Sequence, residues 1–345
     1  MRLFQASLLL LLAICGSGHT LRAQIAYESP VGRVEVLGLQ RWSLKMLRDS
    51  VRAKRPGLEL HDAACMLVLR GELGFPDALV MNMEYTPAPG APSSRHLIIK
   101  LVEPEARARV KWLPPRTDSF NVLRPAYATV ILPAVDSTGA LWLNRILWPL
   151  QFYGRGRGAM TRAVAKAPAT VHADAERLWG FLDDHKNESD WMTARAVLQN
   201  DGSYADRMVA AAILANFAER DSTWFTLADA LRDPSEPVRN ASAAVLGSFP
   251  SRPVDWTSQT TTLRFLLGGT NVAASELVFS MLARTQVSPT LATALLKGNE
   301  FWALTHLTAS YPGAATSARN LLVQLHGGDD LGPDPAKWRR WIRQL

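Results

Sequence analysis

Side chains that could bind a metal ion or transfer protons are sparse in this sequence. Asp183, Asp184 and His185 are consecutive, and His172 lies thirteen residues before His185. A turn could bring these four side chains around a cation, since histidine nitrogens and carboxylate oxygens are common metal ligands. A hydrophilic turn at the end of a helix is the favoured interpretation, because no histidine has close metal-ligand spacing to another.

Two further acidic groups present a similar choice. Asp329 and Asp330 lie near Asp334 and could attract calcium, but this loop lacks the alternating ligand spacing of a calcium site and is predicted to be a solvated turn. Glu103 and Glu105 could form a carboxylate pair. They lie on the same face at the end of a predicted strand, where we expect charge that blunts a sheet edge.

Common catalytic motifs are absent from the sequence. It contains no H-E-x-x-H, no paired C-x-x-C, no P-loop, no G-x-S-x-G and no EF-hand loop. We therefore predict no catalytic residue, no metal and no cofactor, and we expect the protein to act by binding.

A pattern that recurs 32 residues along the chain is its most informative feature. Asp201 and Arg207 recur as Asp233 and Arg239, and each copy continues with an alanine pair, a leucine and a phenylalanine. The continuing residues are Ala211, Ala212, Leu214 and Phe217 in the first copy and Ala243, Ala244, Leu246 and Phe249 in the second. A period of about 30 to 40 residues predicts helix pairs that stack into an array and bind partners over an extended surface.

The second copy, residues 233–246, resembles the D-x(4)-V-R-x-A core of a HEAT-repeat unit, and residues 328–341 resemble an end cap of such arrays. The resemblance covers about residues 173–345 and implies an all-α, armadillo-type superhelical solenoid. It also implies a structural ladder, in which each arginine braces its neighbours through the aspartate of the next unit; contact with a partner is the alternative. The ladder residues are Asp201, Arg207, Asp233 and Arg239.

An α/β pattern precedes the repeats. Residues 32–37 alternate as a strand, Ser43 caps a helix that stops at Gly57, and a second helix begins near residue 61 and runs to about 71–74. Two further strands are predicted at 78–85 and 97–102, and the Pro/Gly-rich stretch between them is a loop. The predicted order is β-α-α-β-β.

This order over residues 30–105 resembles a POTRA domain, the polypeptide-transport-associated module of outer-membrane assembly and secretion proteins. The resemblance rests on the turn at Gly38, the approach of Gly74-Phe75 to the second strand and Glu103 at the end of the third. It implies that an extended peptide adds to the sheet edge, where main-chain hydrogen bonds supply the affinity. The edge residues predicted to bind the partner are Leu79, Met81, Met83 and Tyr85.

The first 23 residues have the pattern of a secretory signal peptide. Arg2 precedes a continuous apolar run at 8–14, and small residues lead to a predicted cleavage after Ala23. That run is too short to span a bilayer and no later segment reaches about 18 apolar residues, so we predict an exported, periplasmic protein without a transmembrane segment. Lipid attachment at Cys15 is the alternative. Cleavage leaves Cys65 as the remaining cysteine, which excludes an internal disulfide.

Composition and charge divide the rest of the chain. Residues 24–105 form the predicted small domain, 106–172 a connecting region with an apolar helix, and 173–345 the helical array with its cap. The net charge is +8 over residues 24–170 and −3 over 171–345, which supports two parts of different electrostatic character. Export argues against nucleic acid as the natural partner.

These observations predict an exported, non-enzymatic scaffold or adaptor of the cell envelope that binds a protein or an extended peptide. The alternative is a structural or regulatory repeat protein whose small domain only supports folding of the array. A metal-dependent envelope enzyme that uses the side chains of residues 172–185 is a third interpretation.

Overall fold

The computed structural model describes residues 24–85, 94–120, 122–123, 149–165, 169–311 and 313–345. The predicted signal peptide with Cys15, and most of the predicted apolar helix at 141–152, lie outside the described residues. Within the described part, a small four-stranded mixed sheet comes first and a mostly helical region follows. The predicted succession of an α+β part and an all-α part is confirmed at this level.

The sheet contains the three predicted strands and one more. Its strands are β1 (Gln24–Ser29), β2 (Gly32–Leu37), β3 (Asp77–Tyr85) and β4 (Ser94–Val102). They are arranged in the order β1-β2-β4-β3, with β2 and β4 parallel and the two outer pairs antiparallel. The additional strand, β1, follows directly on the predicted cleavage site and forms the edge opposite β3.

Helix α1 (Leu44–Lys54) and helix α2 (Cys65–Leu67) connect β2 to β3. The α1 helix begins at the predicted cap, where Ser43 Oγ accepts a hydrogen bond from Met46 N at 3.1 Å. The second predicted helix is present but begins later than predicted: α2 is a single short turn that continues as a π-helix at Val68–Glu72.

The turn after β2 requires a glycine. Gly38 has a φ of 107°, a conformation that side chains rarely adopt. A Cβ at this position would lie 1.9 Å from the carbonyl oxygen of Leu101 in β4, so any side chain would separate the two strands. Gly38 therefore allows the chain to leave β2 while remaining packed against β4.

Successive side chains along a strand point to opposite sides of the sheet. In the central strands, both faces are buried. One face packs with α1 and α2 through Val34, Val36, Leu97, Ile99 and Leu101. The other face covers the helical region: Leu37, Ile98 and Val102 belong to the main helical core, and Leu79, Met81 and Met83 pack against it. The sheet is thus a layer between two groups of helices.

The helical region stacks in two rows. Its helices are α3 (Arg157–Val164), α4 (Ala169–Asp183), α5 (Glu188–Asn200), α6 (Tyr204–Ile213), α7 (Asp221–Ala230), α8 (Glu236–Ser248), α9 (Thr260–Leu267), α10 (Ser275–Arg284), α11 (Ala292–Leu296), α12 (Phe301–Leu307), α13 (Ala314–Leu325) and α14 (Pro335–Gln344). One row runs α5, α7, α9, α11 and the other runs α6, α8, α10, α13, with each helix in contact with the next in its row. Helix α4 starts four residues before the predicted beginning of the array at 173.

The repeated motif lies at the turns that lead from the first row to the second. The guanidinium of Arg207, only 3% exposed, donates through Nε and Nη2 to the two carboxylate oxygens of Asp233, each at 2.9 Å. Its Nη1 donates to the carbonyl oxygen of Asp201 at 2.6 Å. Arg207 therefore connects the turn of its own unit to the turn of the next.

Residues 109–120, which we name the crossing segment, run along these same turns in the direction opposite to the order of the helices. Main-chain groups make most of the contacts, so the segment is held largely independently of its side chains. The hydrogen bonds run from Lys111 N to Thr270 Oγ1 (2.9 Å), from Leu113 N to Arg232 O (2.7 Å), from Gly202 N to Asp118 O (2.7 Å) and from Phe120 N to Asp201 Oδ2 (2.9 Å). This part of the predicted connecting region is bound to the array.

Within the described residues, no single helix is long and apolar enough to cross a membrane. The segments Trp256–Leu267 and Val272–Arg284 reach that length and composition only when taken together, and they are bent by 109° relative to each other.

Replacing Arg207 with alanine should destabilise the fold strongly, because the carboxylate of Asp233 would remain buried without its partner. We expect the free energy of unfolding in urea to fall by about 3 to 5 kcal/mol. The control is Arg319→Ala, since Arg319 and Asp330 form an exposed pair whose removal should change the free energy of unfolding far less. Equal losses in the two variants would show that the buried pair does not stabilise the array.

Candidate functional site

Strand β3 is the candidate peptide-binding edge. Among the described strands it pairs only with β4, from Asp77 opposite Val102 to Tyr85 opposite Ser94. Exposed edges usually carry lysine, proline or a bulge that discourages pairing with another chain. The sequence of β3, DALVMNMEY, contains neither lysine nor proline. Strand β3 therefore lacks two of the residue types that discourage the addition of a further strand.

The side chains predicted to bind the partner do not project into solvent. Leu79, Met81 and Met83 are half-buried and pack against the helical core. Tyr85 ends the strand, and its side chain lies outside the described part of the structure. A peptide at this edge would therefore contact β3 mainly through main-chain groups, with the methionines fixing the strand on the array.

The beginning of β3 is anchored by the buried carboxylate of Asp77. Its Oδ2 accepts a hydrogen bond from Val272 N at 2.7 Å, and its Oδ1 accepts one from Arg70 Nη2 at 3.0 Å. Burial raises the pKa of Asp77, while the charges of Arg70 and Arg239 oppose that increase. Asp77 thus ties the edge strand to the turn that precedes α10.

Arg239, the second arginine of the repeated motif, is completed by the N-terminal half of the chain. Its Nη1 donates to Asp233 O at 2.7 Å, and its guanidinium lies 4.5 Å from the ring centroid of Trp112 in the crossing segment. Burial lowers the pKa of Arg239, and the charge of Asp77 opposes that decrease. Where Arg207 pairs with the aspartate of the next unit, Arg239 lies beside Trp112 and in the field of Asp77, and it pairs with Glu236 of its own helix at 3.8 Å.

A buried charged cluster joins the sheet to the array. Lys100 of β4 has no exposed surface, and its Nζ donates to the carboxylate of Glu276 at 2.5 Å. His306 Nε2 lies 3.3 Å from Glu276 Oε1 and 3.0 Å from Ser275 Oγ. Strand β4, helix α10 and helix α12 therefore meet at one set of polar contacts.

The cluster contains the residue types of a hydrolase but not the arrangement. In a serine–histidine–acid triad the carboxylate orients the imidazole through Nδ1. Here His306 Nδ1 donates to Trp302 O at 2.9 Å, and the carboxylate shares the Nε2 side with Ser275. The Ser275 hydroxyl donates its single proton to Val272 O at 2.8 Å, so it is not directed to the histidine. The geometry supports a structural connection.

Charge pairing determines the protonation of this cluster. Burial disfavours the ionised form of Glu276, but the hydrogen bond from His306 and the charges of Lys100 and His306 outweigh it and lower the pKa of Glu276 to about 2. Burial lowers the pKa of the Lys100 ammonium, and Glu276 opposes that decrease. Glu276 is consequently ionised at neutral pH.

Several of the side chains that were considered as metal ligands make ordinary local contacts. Asp183 pairs with Lys186, and His185 Nδ1 lies 2.7 Å from Phe181 O. Across the described ranges, no group of three or more His, Cys, Asp or Glu side chains is arranged to hold a metal ion. In the acidic turn, Asp330 pairs with Arg319 and Asp334 caps α14 by accepting from Ala336 N at 2.8 Å.

The interpretation of Glu103 as surface charge at a sheet edge is wrong. Glu103 is 2% exposed, and its carboxylate accepts hydrogen bonds from the main-chain nitrogens of Gln40 (2.7 Å), Arg41 (2.9 Å) and Trp42 (2.8 Å). Three successive N–H groups satisfy the buried charge. Glu103 therefore holds the loop between β2 and α1 against the end of β4. Glu105 accepts a hydrogen bond from Trp42 Nε1 at 3.4 Å.

Sequence reasoning does not identify Lys100, Glu276 and His306. One signal was available: Lys100 interrupts the apolar run of β4, and a charge in a buried strand requires a partner. The partners lie more than 170 residues away along the chain, and no local pattern marks them.

Comparisons with protein-family models, with curated proteins and with solved structures find no match for this chain.

Acid should weaken the connection between sheet and array. The pKa of Glu276 is lower in the folded protein, about 2, than its ordinary value of 4.5, so its contribution to stability is present above pH 4.5 and is lost as pH falls toward 2. The shift corresponds to about 3 kcal/mol. In urea titrations, the difference in unfolding free energy between the native protein and Glu276→Gln should shrink by about this amount between pH 6 and pH 2.

The control for this experiment is Glu300→Gln, which makes the same chemical change at a half-buried glutamate for which the described contacts contain no ion pair. Its stability should follow the pH curve of the native protein. A constant difference between the native protein and Glu276→Gln at all pH values would contradict the assignment of a strongly lowered pKa to Glu276.

Proposed function

We propose that this protein is an exported, non-enzymatic interaction scaffold of the cell envelope. An extended peptide adds to the β3 edge of a POTRA-like sheet, and a HEAT-like solenoid holds that edge in a fixed position. The observation that carries the proposal is a nine-residue edge strand without lysine or proline, whose side chains are anchored on the array while its outer main-chain groups have no partner strand among those described.

The topology of the sheet supports a POTRA-like interpretation. Two helical segments lie between β2 and β3, the central strands β2 and β4 are parallel, and β3 is antiparallel at the edge. Strand β1 adds a fourth strand to the predicted β-α-α-β-β order. It lies on the side opposite β3 and leaves the proposed binding edge unchanged.

The two rows of helices support a HEAT-like interpretation of the second half. Their connecting turns carry the ladder residues, and Arg207 reaches the aspartate of the next unit. The crossing segment already covers these turns through main-chain hydrogen bonds. None of these hydrogen bonds involves β3, so its edge is the better candidate for binding a partner.

A second candidate function rests on a separate observation. The array-facing side of the sheet is buried, and Lys100 there depends on Glu276 for charge pairing. This coupling favours a structural role in which the small domain supports folding of the array. A two-ended adaptor with a flexible joint requires the two halves to move independently. These contacts give no support for such motion.

Deletion of residues 24–105 tests the structural role. The shortened chain would expose the apolar surface that Leu37, Ile98 and Val102 cover, together with Glu276 and His306 without Lys100. We expect it to aggregate, as measured by light scattering and size-exclusion chromatography. A soluble, cooperatively folded array from residues 106–345 would exclude an essential supporting role.

Proline substitutions in β3 test peptide addition. The probe is a peptide selected on the native protein from a random phage-displayed library. Main-chain N–H groups of adjacent strand residues point in opposite directions, so one of Met81→Pro and Asn82→Pro removes an outward donor and the other disturbs pairing with β4. We expect the outward substitution to weaken peptide binding at least about tenfold with little change in thermal unfolding.

The matched control uses the opposite edge. Ala26→Pro and Tyr27→Pro make the same pair of changes in β1 and should leave peptide affinity unchanged. Selected peptides that bind all four variants as well as the native protein would exclude β3 as the binding edge.

A further inference from the structure

An open groove lies on the helical region, and no residue of β3 is among the described residues that line it. Its walls are formed by the middle and end of α8, by residues 151–155 before α3, and by Leu277 of α10. The volume is about 550 Å³, which is within the range of pockets that hold small molecules.

Small side chains create this groove. Helix α8 presents Asn240, Ala243, Ala244 and Gly247 to it, at the i, i+3, i+4 and i+7 spacing of one helix face. Alanine and glycine leave the space that larger residues would fill, and Phe152 and Leu277 provide apolar walls.

The opposite wall is fixed close to the end of α8. A Cβ on Gly154 would lie 2.5 Å from the carbonyl oxygen of Ser248, so the absence of a side chain allows residues 151–155 to approach the helix this closely. Arg155, next in the chain, is consequently located at the Gly247 end of the groove. The distance from Gly247 to Asn240 at the other end is about 10 Å, from the rise per residue of an α-helix.

Near the Gly247 end lie two arginines, Arg155 and Arg284, for which the described residues provide no carboxylate partner. Within the described residues, Arg155 is exposed and makes no ion pair. Arg284 donates to the carbonyl oxygens of Leu246 and Phe249, and its buried Nε has no hydrogen-bond partner in the described structure. Burial lowers the pKa of Arg284, and the positive charge of Arg155 lowers it further. Within the described part of the chain, this end of the groove therefore carries positive charge that no carboxylate pairs with.

We propose that this groove binds a small amphiphile with one carboxylate head and an unbranched apolar body, that is, a medium-chain fatty acid. The carboxylate pairs with the planar guanidinium of Arg155, which can donate two parallel hydrogen bonds. The alkyl chain lies along Ala244 and Gly247 against Leu277 and Phe152, and its length is limited by the extent of the groove to about 10 Å.

Head-group specificity tests the charge argument. Isothermal titration of the full chain with decanoate, decanol and decyltrimethylammonium, each below its micelle-forming concentration, should show saturable binding of one decanoate. Decanol should bind more weakly and the cationic amphiphile should not bind. Arg155→Gln should weaken decanoate binding about fivefold, the effect of losing one partly exposed ion pair, without altering decanol binding. The charge-matched control, Arg162→Gln in the exposed part of α3, should change neither.

Filling the groove tests its location. A Cβ on Gly247 would meet Leu277 Cδ1 at 3.7 Å, an ordinary contact, so Gly247→Leu can place its side chain in the groove and should abolish decanoate binding. Gly180→Leu is the control, because Gly180 is also a helical glycine and a Cβ there would meet no atom within 4 Å. Equal binding of the anionic and cationic amphiphiles, no saturable binding of decanoate, or unchanged binding by a folded Gly247→Leu would each overturn the proposal.

Discussion

Burying a guanidinium is costly unless its charge and N–H groups find partners, and two buried guanidinium groups connect the parts of this molecule. Arg207 obtains its partner from the next unit of the array, the carboxylate of Asp233. Arg239 occupies the equivalent position one unit later and has Trp112 and the charge of Asp77, both from the N-terminal half. The contacts of the two repeated arginines therefore connect one helical unit to the next, and then connect the array to the sheet and the crossing segment.

The same requirement explains why sheet and array are closely joined. Asp77, whose charge opposes the decrease that burial causes in the pKa of Arg239, is itself held by Arg70 and by the main chain at Val272. Lys100 on the central strand needs Glu276, and Glu35 on the neighbouring strand accepts hydrogen bonds from Ser310 N at 2.8 Å and Ser310 Oγ at 2.9 Å. Removing one member of a buried pair leaves a desolvated charge, which usually costs several kcal/mol. Polar contacts thus fix the relative position of apolar surfaces that could otherwise slide.

Local patterns in the sequence predict the local parts of this structure well. The strand at Gly32–Leu37 and the cap at Ser43 are found where alternation and capping chemistry predict them. Strand alternation and helix caps depend on neighbours only a few residues apart, so they can be recognised directly in the sequence. The added strand β1 is harder to predict because it adjoins a predicted cleavage site, where a strand has little flanking sequence to define it.

The parts that sequence analysis interprets wrongly depend on distant residues. Glu103 has the position of a surface charge in the local pattern, and only the approach of the loop at Gln40–Trp42 makes it a buried acceptor. The sequence also does not show that Leu79, Met81 and Met83 pack against the array, which lies beside them only in the folded chain; this contact leaves their role at a partner-binding edge a prediction. The groove beside α8 is equally invisible in the sequence, because two neutral residue types, alanine and glycine, mark it only when the segment at 151–155 lies opposite.

The hydrogen bonds between Glu35 and Ser310 close a loop of 275 residues. The thermodynamic cost of such closure grows only with the logarithm of loop length, but contacts of high sequence separation slow folding strongly. Ribosomal synthesis delivers the sheet long before helix α12, and helix pairs such as α5 and α6 can form from neighbouring residues as they emerge. We therefore expect the order of folding to oppose the order of synthesis: the first strands translated acquire their final environment last, when the chain is almost complete.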